Sequence, residues 1–149
     1  MADSKKINTF QKWVFWTGVF NIIAFTGLIC PFTLKRFLFI TNKMGALLGF
    51  GGADLLFPAD INHLVLINML GMIVVMLGVM LIIASFNIME RAWYVFWEGL
   101  IRIFAFLLIF YFVLFMNAAQ ALLFFGGIDL LIGLIYMYYI FSIKELKIR

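Results

Sequence analysis

Charge is what this sequence has least of. Asp, Glu, Lys and Arg make up only 12% of its 149 residues, about half the share of a water-covered domain. A chain so poor in charge cannot clothe itself for water, and a soluble globular fold is excluded. Cysteine occurs once, as Cys30, so an internal disulfide is excluded and the redox compartment stays open. Histidine also occurs once. His63 with no cysteine pair falls short of the ligand set of a metal centre. A nucleophile–histidine–acid arrangement is not visible. The glycines at Gly45, Gly49, Gly51 and Gly52 lack the lysine and serine or threonine that follow a phosphate loop. The expectation is a protein that is not an enzyme, with no cofactor and no metal.

What fills the chain instead is hydrocarbon. Hydrophobic residues make up 66% of it, and the mean hydropathy is +1.15. Four apolar runs cover about 13–32, 61–86, 91–116 and 121–141. Each has about 20 residues or more, enough to cross roughly 30 Å of bilayer core as a helix. The expected fold is all-α: a single domain over 1–149, built as a four-helix transmembrane bundle. Between the first two spans, Leu34, Phe37, Leu38, Thr41, Met44 and Leu48 share one helical face while Lys35, Arg36, Asn42 and Lys43 share the other. That pattern describes an amphipathic segment lying in the membrane interface, with a re-entrant loop as the alternative. Pro31 closes or kinks the first span, and Pro58 with Asp60 signals a helix start. The sequence Gly27-Leu28-Ile29-Cys30 is a poor lipoprotein site because Ile29 is bulky, and the first run is read as a retained span.

The formal net charge is +4, and it points to lipid rather than nucleic acid. Apart from Arg102, the basic residues sit in tails and loops, where anionic headgroups account for them. Four spans place both termini on the side that holds Lys5, Lys6, Lys12, Arg91, Lys144, Lys147 and Arg149. Both termini are therefore expected in the cytoplasm. Trp13, Trp16, Trp93 and Trp97 lie at the same end of their spans, with Tyr94, Tyr136, Tyr138 and Tyr139 near that level. These aromatics read as interfacial anchors.

The informative residues are the charges inside the spans. Arg91, Val95, Glu98, Arg102, Ala105 and Ile109 recur at helical steps on one face of the third span, and Glu98 precedes Arg102 by four, the favourable order for a pair. Gly126, Asp129, Gly133 and Tyr136 share a face of the fourth. Counting from the cytoplasmic ends puts Arg102 and Asp129 each roughly 16–18 Å deep. They are expected to face each other, leaving Glu98 without an obvious partner. Asn21 of the first span reaches a similar level, so the expected cluster is Asn21, Glu98, Arg102 and Asp129. Small residues on the first and second spans (Ala24, Gly71, Gly78, Ser85) mark faces that meet other helices.

A first helix ending in Pro31, a glycine-bearing second, a third opening Glu90-Arg91 and carrying Arg102, and a fourth with Asp129 resemble the small four-helix bacterial membrane proteins of the DoxX-like type. The resemblance is one of layout and covers most of the chain. It implies a bacterial inner-membrane protein, and some members of that group act beside oxidoreductase partners. The chain lacks the basic residue often found in the first helix of that group, and the resemblance assigns no role to any residue. Two functions follow. The first is a membrane protein that serves as a subunit of a larger complex or a self-associating bundle, its charges fixing helix packing. The alternative is a small transporter or membrane enzyme handling a proton, cation, lipid or quinone at Glu98 and Asp129.

Overall fold

The computed structural model describes residues 2–143, so the basic tail with Lys144, Lys147 and Arg149 lies outside the described residues. The described residues form five helices: α1 (Ala2–Ile29), α2 (Pro31–Leu47), α3 (Ile61–Phe86), α4 (Ile88–Phe115) and α5 (Leu122–Ser142). All but α2 are long and apolar enough to cross a membrane. This is an all-helical, multi-pass membrane protein.

Several boundaries differ from the sequence reading. The helix α1 starts at Ala2 rather than near Trp13, because Phe10 and Val14 continue the buried stripe of Thr17 and Asn21 and are themselves fully buried. Of the two expectations for Pro31, closing α1 holds and kinking it does not. The break falls at Cys30, which is extended, and Pro31 becomes the first residue of α2, where its missing N–H is no loss. Asn87 alone separates α3 from α4. Arg91 donates to the carbonyl of Ile83 in the last turn of α3, so it caps that helix rather than lining the interior.

In a bilayer, apolar side chains gain little by leaving lipid for protein, and close backbone approach takes over as the packing force. Two antiparallel pairs show this. On α1 and α3, a Cβ at Gly78 would lie 2.8 Å from the Gly18 carbonyl oxygen, and one at Gly71 would lie 2.5 Å from Leu28 Cβ. On α4 and α5, a Cβ at Gly133 would lie 2.8 Å from the Gly99 oxygen. The sequence marked Gly71, Gly78 and Gly133 as contact positions, and their partners are helices of the same chain. The two pairs join through a core at the end that carries the N-terminus, where Phe10, Val14, Leu81, Ile88, Val95, Tyr136 and Ile140 interlock.

At the other end lies α2, the amphipathic segment. Leu34, Thr41 and Gly45 of its apolar face are buried. Phe37 packs on Phe25 and Phe125, which ties α2 to both α1 and α5. Gly45 does not loosen the chain as its type suggests. It keeps α2 going where a Cβ would meet Ala121 Cβ at 2.8 Å. The segment after α2 is pinned rather than free: Asn42 brackets the backbone of Leu55 with two hydrogen bonds, and Gln120 accepts from the N–H of Gly51 at 2.8 Å.

Candidate functional site: an intramembrane charge network

The register set by the glycines decides which polar groups meet. Gly99 and Gly133 hold α4 and α5 in contact, and one turn further along, Arg102 faces Asp129. The guanidinium is then closed by three helices. Its Nε donates to Glu98 Oε1 at 2.7 Å, on its own helix. One terminal nitrogen donates to Asp129 on α5. The other donates to Asn21 Oδ1 on α1 at 3.0 Å, and lies 2.6 Å from Glu98 Oε1. All four expected residues are therefore brought together.

One expectation needs correction. Glu98 is not left without a partner, because its Oε1 serves two nitrogens of Arg102. The planar fork of arginine offers five N–H donors, enough to reach a carboxylate one turn back and another across the helix pair at once.

The network is buried but incompletely satisfied. Asn21 is 1% exposed, Glu98 5% and Arg102 7%, while the Asp129 side chain keeps 22%. Among the described residues, Glu98 Oε2, Asn21 Nδ2 and Tyr136 Oη are buried with no hydrogen-bond partner. Buried polar groups of this kind are normally bonded, and each one left bare costs about 1–3 kcal/mol. One arginine against two carboxylates leaves a formal excess of one negative charge.

Tyr136, expected both near the level of the interfacial aromatics and on the face of Asp129 and Gly133, follows the second pattern: it is fully buried, edge-on to Phe10 at 6.0 Å. The four tryptophans expected as anchors face outward, at 44–64% exposure for Trp13, Trp16, Trp93 and Trp97. Asn68 of α3 donates to the Ile29 carbonyl at the end of α1 at 2.8 Å.

At the α2 end, Asp60 caps α3 by accepting from the backbone of Asn62 and His63 at 2.9 and 3.1 Å. It also pairs with the His63 ring. The hydrogen bond from that ring holds the Asp60 carboxyl below the usual carboxylate range. Among the described residues, no group of three His, Cys, Asp or Glu side chains comes together to hold a metal. Comparison with protein families, with curated proteins and with solved structures gives no match to this chain.

Proposed function

We propose that this protein is a non-enzymatic membrane protein that works as a subunit of a larger membrane assembly or as a self-associating bundle. Its charge network serves to lock helix register. The observation that carries this reading is the closed guanidinium: Arg102 is engaged by α1, α5 and its own helix at once, which leaves it no free face for a passing substrate. A membrane protein gains more from such a latch than a soluble one, since an unpaired charge at mid-bilayer costs about 2.5–3.5 kcal/mol or more. Kinship with DoxX-like proteins, a place in the bacterial inner membrane and cytoplasmic termini belong to the same proposal. Cross-linking in native membranes followed by mass measurement of the solubilised protein tests it. Defined oligomers or a reproducible partner are expected. A stable monomer with nothing cross-linked removes the assembly reading.

A second reading rests on the three bare atoms. Glu98 Oε2, Asn21 Nδ2 and Tyr136 Oη supply an acceptor, a donor and a hydroxyl in one buried region, a set suited to a proton or a small polar guest. On this reading Glu98→Gln abolishes a proton or cation flux in reconstituted vesicles. Unchanged flux in that variant, or none in the wild type, counts against it.

A further inference from the structure

Between α1, α2 and α5 runs a groove of about 440 Å³, within the size range of ligand sites. Its walls are apolar: Phe20 and Ile23 from α1, Ile40 and Met44 from α2, Phe124 and Ile128 from α5. Phe37, seated against Gly27 and stacked on Phe125 at 5.7 Å, forms part of the lining at the α2 end. The other end reaches Phe20 and Ile128, the sequence neighbours of Asn21 and Asp129. The groove therefore runs from the α2 end to the level of the charge network.

Three polar side chains line it: Thr33, Arg36 and Thr41. Both threonine hydroxyls already donate to backbone carbonyls. That leaves Arg36 as the group able to bind. The other cations of α2 are occupied, since Lys35 lies over the Phe57 ring at 5.2 Å and Lys43 over Phe39 at 4.6 Å. Arg36 has neither a ring nor an ion-pair partner among the described residues.

An apolar channel opening to lipid, with one unpaired guanidinium on its lining, matches one chemistry. We propose that the groove is a binding site for an anionic phospholipid of the leaflet at the α2 end. The phosphate sits on Arg36 and one acyl chain lies between α1 and α5. Arginine is always charged and its planar fork fits phosphate oxygens in pairs. This inference stands apart from the assembly reading and survives its failure.

The test uses the full chain in phosphatidylcholine vesicles, with Phe124→Trp placing a fluorophore in the groove wall. The background from the four native tryptophans is subtracted with the parent chain. Matched fractions of phosphatidylglycerol or phosphatidylcholine with brominated acyl chains serve as quenchers. Brominated phosphatidylglycerol should quench the added tryptophan more strongly. Arg36→Gln should cut that preference about fivefold, while Lys35→Gln leaves it unchanged. Because the readout is a ratio within reconstituted protein, yield does not enter. If Phe124→Trp fails to fold, Ile40→Trp on the opposite wall reports the same event. Equal quenching by both lipids overturns the site, since the groove then holds bulk chains. Quenching by neither also overturns it, since a second copy or another segment then fills the groove. An equal loss in Lys35→Gln reduces the effect to diffuse surface charge and overturns it too.

Discussion

The two ends of this bundle are built on different terms. At the end carrying the N-terminus, α1, α3, α4 and α5 all meet, and Phe10, Val14, Leu81, Ile88, Val95 and Tyr136 are buried in one cluster. At the α2 end α1, α2 and α5 line the groove instead, while outward-facing apolar side chains occur at both ends, Phe86 and Phe141 at 72–73% exposure on one and Phe115 at 69% on the other. A soluble protein could not tolerate such a groove and surface. In a bilayer both are inexpensive, because lipid tails solvate phenylalanine and leucine as well as a protein core does. Charges have no such alternative. The network of Asn21, Glu98, Arg102 and Asp129 lies where the closed end meets the open one, and it bridges α1 to the α4 and α5 pair. If the network locks helix register as proposed, charge rather than apolar area sets how far the bundle must close.

The sharpest way to break that contrast is Arg102→Leu. It strands two carboxylates inside the membrane, and losing one side of a buried pair costs about 3–5 kcal/mol. Folded yield and resistance to denaturing detergent should collapse. Replacing Arg102, Glu98 and Asp129 together with leucine should restore much of the loss. Wild-type stability in Arg102→Leu would show that the network closes nothing. Next in size is Gly133→Val. Its Cβ would lie 2.8 Å from the Gly99 oxygen, a backbone atom that cannot swing away. Overpacking of this kind costs about 1–3 kcal/mol. Gly127→Ala, where nothing lies within 4 Å, should be neutral in the same unfolding measurement. Equal effects at the two positions would mean that the register is not set by the glycine contact.

How much of this could be read from the sequence depended on whether a residue's place follows from its own helix. The four spans and the opposition of Arg102 and Asp129 did follow, because rise per residue and an antiparallel pair fix depth. The role of Glu98 followed only in part: its place four residues before Arg102 announced a pair on one helix, while the depth count assigned Arg102 to Asp129 alone. Counting depth treats each residue as a point, whereas the arginine fork spans a full helical turn. Phe10 was also hidden, since it sits among lysines and a polar tail, and only the chain of Ile7, Phe10, Val14 and Thr17 at helical steps betrays its buried face. The position of α2 was legible as an amphipathic helix, but its docking on Phe25 and Phe125 depends on two distant segments that no local pattern joins.

Two milder variants compare the ends directly. Asp129→Asn keeps an acceptor for Arg102 and removes a charge that is partly exposed, so a loss of about 1 kcal/mol is expected, in line with measured interhelical bonds in membranes. Phe125→Ala removes aromatic contacts with Phe25 and Phe37, each worth about 0.5–1.5 kcal/mol beyond area. Its effect should be confined to protection of α2 in hydrogen exchange, leaving α4 unchanged. Loss of protection across α4 would mean that the two ends unfold as one.

The smallest expected effect is also the most local. The Asp60 carboxyl is held below its usual range chiefly by the His63 ring, then by the N–H groups at the start of α3. A carboxylate whose folded value lies below its unfolded one contributes stability that is complete above the unfolded value and is lost as pH falls through the folded one. Acidification through the carboxylate range should therefore release the cap, because a protonated Asp60 accepts these bonds poorly. The first turn of α3 should then lose hydrogen-exchange protection around Asn62 to Leu64. Asp60→Asn, which keeps an N-cap acceptor but cannot titrate, should remove the pH dependence. The far end of α3, at Leu81 and Ala84 in the closed core, should stay protected over the same pH range. If both ends of α3 open together on acidification, then the bundle is a single cooperative unit, and the difference between its halves lies in packing alone and not in stability.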